Sequence, residues 1–176
     1  VTKEDAQAVY NFLTDPSFCA YPKVNVRLLT EQLADRQHVI EALDELAVRV
    51  QGHPDATAIV YFSGHGIEQP KPNLLTYGHS FNDLDGTMLG SEVFTEKLRA
   101  IHSKKLLVVL DCCHAGAQGE AKAKSPPIPL SETAIQTLSQ GSGRVILASS
   151  RRDEQSWTGN PYSIFTTAIL EGLLGQ

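Results

Sequence analysis

The chain has 176 residues, 41% of them hydrophobic and 20% charged, which is the size and composition of one ordinary globular domain built around a single core. Its formal net charge is -5 at pH 7 and its Lys and Arg residues are scattered, which argues against nucleic acid or an anionic membrane as partner. Three cysteines, two of them adjacent, make a poor disulfide framework, and no apolar run reaches the length of a membrane span, so the expectation is a soluble, cytoplasmic protein.

Taken in chain order, Ala6, Val9, Tyr10 and Leu13 recur at helical spacing and predict a helix over residues 5–13. After a turn with Pro16 and a loop with Pro22, residues 25–29 read as a short strand. Val39, Ile40, Leu43, Leu46, Ala47 and Val50 predict a second amphipathic helix over 38–50. Strands follow at 57–63, 105–112 and 144–149, with helices at 91–102 and 162–174. Residues 69–90, rich in Pro, Asn, Gly and Asp, read as a loop with room for a small hairpin. Residues 116–143 read as an exposed loop interrupted by a short helix near 131–139. This rhythm predicts an α/β fold, a mainly parallel sheet flanked by helices on both faces.

Two apolar runs end on reactive side chains: Ile59-Val60-Tyr61-Phe62-Ser63-Gly64-His65-Gly66 and Leu106-Leu107-Val108-Val109-Leu110-Asp111-Cys112-Cys113-His114-Ala115-Gly116. Ligands of open α/β sheets bind beyond the carboxyl ends of the strands, so a His on one strand and a Cys on another can meet there. A thiolate attacks a carbonyl, and an imidazole takes the thiol proton and later protonates the leaving amine. His65 and one of the two cysteines suit these roles, with backbone N–H groups of Gly66 and of the nucleophile as oxyanion donors. Taken singly, the Cys is a small core residue and the His a structural one; their pairing favours catalysis. Consecutive Cys112, Cys113 and His114 do not converge on one tetrahedral ion and lack zinc-type spacing, so no metal is expected.

Tyr-Phe-Ser-Gly-His-Gly at 61–66 and Asp-Cys-Cys-His-Ala-Gly at 111–116 resemble the two signature blocks of the caspase superfamily, and are more similar to those of metacaspases and their bacterial relatives than to those of animal caspases. The 48 positions from His65 to Cys113 are close to the roughly 50 of caspases. Metacaspases carry Ser where this chain has Cys112, so the resemblance makes Cys113 the nucleophile and turns Cys112 into the sheet. Residues 24–30 resemble the family's second strand, while 146–150 and 163–171 resemble its smaller catalytic segment. The resemblance implies a three-layer sandwich in one domain: a large-subunit-like segment over 1–115, a linker loop over 116–143 and a small-subunit-like segment over 144–176. It also implies a first sheet strand upstream of residue 1.

The resemblance to metacaspases implies a cysteine endopeptidase cutting protein or peptide substrates after Arg or Lys, with acids lining the recognition site. Asp111, Ser63 and Asp5 match the family's positions for binding the basic side chain, although Asp5 also reads as a first-turn helix acid beside Thr2. Lys122 and Lys124, in the 116–143 loop, are expected self-cleavage sites, and Trp157 reads as a subsite wall or plain packing. Many metacaspases need calcium; Asp83, Asp85, Glu92 and Glu120 lack EF-hand spacing, so no cofactor is assigned. The family pattern implies a monomer. Two other readings stay open: a catalytically silent caspase-like scaffold or regulatory domain, and a legumain-like, gingipain-like or separase-like peptidase.

Overall fold

The computed structural model describes residues 2–68, 71–114, 136, 143–149 and 159–175. Its strands are β1 (Thr57–Glu68), β2 (Pro72–Leu74), β3 (Leu89–Gly90), β4 (Lys105–His114) and β5 (Arg144–Ala148). Its helices are α1 (Thr2–Thr14), α2 (Arg36–Val50), α3 (Leu84–Thr87), α4 (Ser91–Ala100) and α5 (Ile164–Leu174). The sheet order is β3-β2-β1-β4-β5; β1, β4 and β5 run parallel, and β2 joins β1 and β3 antiparallel. This is the expected mainly parallel α/β sandwich, with the small hairpin element inside residues 69–90.

β1 and β4 read as near-continuous apolar runs because helices cover both of their faces. On one face Ala58, Leu106, Val108, Leu110 and Cys112 pack with Leu43 and Ala47 of α2 and with Phe94 and Leu98 of α4. An exposed Lys97–Asp44 ion pair, 2.7 Å, ties α4 to α2. On the opposite face Tyr61 and Ser63 bond to α5 and α1 through Thr166 and Asp5. α2 starts two residues before the expected position 38, because Asp35 caps it by accepting from the N–H of His38 at 2.8 Å. β5 is led in by Gly143 at φ +84°, where a Cβ would run into the Lys104 carbonyl oxygen.

The expected strand at 25–29 is absent. Lys23–Asn25 is a 3-10 turn, and the 26–30 segment, extended at Val26 and Thr30, has no strand partner among the described residues. The physical reason lies in the sheet: β4 occupies one edge of β1, β2 meets its other edge only at Gly66–Glu68, and residues 57–64 have no strand beside them there among the described residues. A cavity of about 890 Å3 runs along that edge, lined by Ala6, Val9 and Tyr10 of α1, by Val39 and Leu46 of α2 and by Leu28 of the extended segment. Residues 24–31 and Thr57–His65 line this cavity together, so it lies between the 26–30 segment and the edge of β1, and residues 25–29 have the composition of a strand without reaching that ladder. Among the described residues no helix is long and apolar enough to cross a membrane.

Candidate active site

β1 and β4 finish side by side. Their parallel register pairs Ser63 with Asp111, Gly64 with Cys112, His65 with Cys113 and Gly66 with His114. Neighbouring strands lie about 4.8 Å apart, so His65 and Cys113 occupy adjacent backbone positions although far apart in sequence. The two-residue period of a strand assigns positions 63, 65, 111 and 113 to one face and 64 and 112 to the other. Cys112 is accordingly 2% exposed in the core shared with α2 and α4, as expected of the residue at the Ser position of the resemblance. Gly64 is required by the aromatic ring ahead of it, since a Cβ there would meet the Phe62 ring at 2.6 Å.

His65 is exposed, and its carbonyl oxygen accepts from Leu75 N–H at 2.9 Å, which holds the strand end against the β2 connection. Gly66 is buried and lies between Leu74 and His114 in the two ladders. The arrangement supplies what acyl transfer through a thiol needs at one place: an imidazole, a cysteine position level with it, and glycine backbone beside both.

Asp5, Ser63 and Asp111 are brought together just below. Asp5 is 1% exposed; its Oδ2 accepts from Ser63 Oγ at 2.9 Å and its Oδ1 from Ser163 N–H at 2.8 Å. It is thus a buried acid bonded to β1 and to the start of α5, not a solvated first-turn acid. Asp111, 2% exposed, accepts at Oδ2 from the Ser163 hydroxyl and from Thr166 Oγ1. Burial pushes the Asp5 carboxyl above its ordinary value of 3.8, and the nearby Asp111 charge adds to this against the Ser163 and Ser63 bonds. Burial also pushes the Tyr61 phenol up, with both carboxylates adding, while its bond to Thr166 opposes.

Ser163, Thr166 and Tyr61 belong to this site and were not singled out by the sequence. A Ser three residues ahead of a Thr at a helix start signals a cap, which Ser163 indeed forms by accepting from Thr166 N–H at 2.9 Å. Nothing in that pattern shows that the same hydroxyl reaches an acid on β4.

Of the acids considered for calcium, Asp83 caps α3 by accepting from Gly86 N–H at 3.0 Å, and Glu92 pairs with Lys71 at 2.8 Å. Among the described residues no group of three His, Cys, Asp or Glu side chains is assembled for a metal. Glu120, Lys122, Lys124, Trp157 and the helix near 131–139 fall outside the described residues, apart from helical residue 136.

No curated protein and no solved structure matches the chain. The family model of the caspase domain matches residues 1–175. With that match over a sheet that ends in a His and a Cys at paired positions, the chain belongs to the caspase-domain family of cysteine peptidases.

Proposed function

We propose that this chain is a metacaspase-like cysteine endopeptidase that cleaves after Arg or Lys, with Cys113 as nucleophile and His65 as acid and base. The observation that carries the reading is the register: residue 65 is the direct partner of residue 113 at the carboxyl ends of two parallel strands. His65 takes the thiol proton, and the Cys113 sulfur attacks the scissile carbonyl carbon. Backbone N–H groups of Gly66 and Cys113 hold the oxyanion. His65 then protonates the leaving amine as the C–N bond breaks, giving a thioacyl-enzyme, and a water deprotonated by His65 hydrolyses the thioester.

Asp5, Ser63 and Asp111 seat the basic side chain. Two carboxylates from α1 and β4 within one hydrogen-bond network support this assignment, because a guanidinium or ammonium replaces their mutual repulsion by charge-assisted bonds. Self-cleavage after Lys122 or Lys124 follows from the same preference, and the enzyme acts as a monomer in the reducing cytoplasm, where cysteines persist as thiols.

The test is hydrolysis of short fluorogenic peptides ending in Arg, Lys, Asp or Asn, together with labelling by an Arg chloromethyl ketone. Turnover of the Arg and Lys peptides with the label mapped to Cys113 is expected. Turnover of the Asp peptide alone overturns the recognition site, and no turnover with no label establishes a catalytically silent scaffold. A single uncleaved band of wild-type protein overturns self-processing.

A further inference from the structure

Ser163 touches both buried acids. Its backbone N–H donates to Asp5 Oδ1 at 2.8 Å, its hydroxyl donates to Asp111 Oδ2, and its Oγ accepts from Thr166 N–H. One turn on, Thr166 Oγ1 donates to the same Asp111 oxygen at 2.9 Å, which leaves the Tyr61 phenol to donate to Thr166. A hydroxyl has a single proton to give, so both have committed theirs to a carboxylate. Ser163 and Thr166 are 3% and 0% exposed, so water does not replace these donors. A helix cap alone needs only the accepting bond. The two donations to Asp111 and the backbone bond to Asp5 go beyond capping, and they join α1 to β4, two elements that flank β1 and are remote in sequence.

We infer that Ser163 and Thr166 are positioning residues of the acidic site, fixing the Asp5 and Asp111 carboxylates at the spacing that receives a guanidinium or ammonium group. The first turn of α5 is then a specificity determinant, and the recognition site is complete only when α5 is docked on the sheet. The inference rests on the reading of Asp5 and Asp111 as the seat of a basic side chain. Each donated proton makes a charge-assisted bond to Asp111, so removing one changes the surroundings of that carboxyl group and loosens its position.

The experiment compares full-length Ser163→Ala, Ser163→Thr and Thr166→Val with the parent chain. Thr166→Val keeps the shape of a fully buried side chain, and so guards against a Ser163 variant that fails to fold. Carboxyl-carbon NMR shifts of the substrate-free proteins, recorded at one pH, read the hydrogen bonds to the acids without requiring turnover. The expected result is a displaced Asp111 carboxyl-carbon shift in Ser163→Ala and Thr166→Val and a parent-like shift in Ser163→Thr. Turnover of the Arg peptide should fall about tenfold in kcat/KM through KM, with kcat nearly unchanged, as for loss of one hydrogen bond to a charged group. Alkylation of Cys113 by iodoacetamide should keep its rate. An unchanged Asp111 carboxyl-carbon shift in both donor-deleting variants overturns the inference, as does a shift in Ser163→Thr displaced as far as in Ser163→Ala. A parent chain that cleaves no basic peptide overturns the proposed function instead, and the carboxyl-carbon shifts still decide the positioning role.

Discussion

Cys112 sits opposite Gly64 in the ladder and is 2% exposed in the core between the sheet, α2 and α4. Cys112→Ala therefore removes one sulfur from a packed interior, an expected loss of about 1–2 kcal/mol in urea unfolding with peptide turnover retained. Cys113→Ala should instead abolish peptide turnover. Asp5 carries a pH signature. Its folded pKa lies above the unfolded value of 3.8 because burial disfavours the charge, so the folded chain binds the Asp5 proton more tightly than the unfolded chain. Between the two pKa values the folded state holds more protons, so this group's contribution to stability falls as pH rises through that window and stays low above it. Asp5→Asn has no proton to lose, and the stability of the parent relative to the variant should therefore decline with rising pH in urea titrations. A parent and variant that track each other across the window would show that Asp5 titrates as an ordinary carboxyl. At this scale the sequence exposes His65, the cysteine pair and Asp111, because reactive residues ending apolar runs are visible in a single line of letters. It does not expose Ser163 as an acid ligand, since its contact to Asp111 spans 52 positions and depends on how α5 docks.

Among the elements, the strands run further than their apolar letters. β1 continues through Gly64, His65 and Gly66 to Glu68 because β2 supplies hydrogen-bond partners at Gly66, Ile67 and Glu68. β4 continues to His114 because Gly66 lies beside it. Periodicity ends such strands where glycine begins, whereas the ladder ends them where partners run out. Gly64 is the point at which the strand end is most sensitive. A methyl added there meets the Phe62 ring at 2.6 Å, so Gly64→Ala has to push that ring off its seat on the α2/α4 face. The expected cost is about 1–3 kcal/mol of overpacking, with a drop in turnover because the adjoining residue is His65. Gly64→Ala combined with Phe62→Leu should recover most of the stability, and thermal unfolding of the three variants checks this. If the double variant is no more stable than the single one, the clash is not the cause.

The edge of β1 away from β4 is a feature at the scale of the whole fold, because among the described residues α1, α2 and the 26–30 segment enclose it only jointly. Residues 57–64 of β1 there present backbone groups that no strand satisfies among the described residues, and the apolar stripe of α1 is only half-buried: Asp5 is its one buried residue. A cavity of about 890 Å3 lined by aliphatic side chains from both helical layers accepts an extended segment that is apolar on both faces. Direction follows from α1. Thr2 and Lys3 line the cavity, and Asp5 bonds to Ser63 near the carboxyl end of β1, so a strand feeding into Thr2 runs parallel to β1. Fusing a segment of about seven Val, Ile and Leu residues ahead of Thr2, through a short polar turn, therefore has a calculable consequence. Each buried aliphatic side chain contributes about 1.5–3 kcal/mol, against about 1.5 kcal/mol for ordering each residue. The net of a few kcal/mol raises the melting temperature by about 5–10 °C at this chain length. The same fusion with apolar and polar residues alternating should gain little, because helices cover both faces, and one with a central proline should gain least, because it interrupts the ladder to β1. Equal melting temperatures for the three fusions would mean that the segment does not enter the sheet.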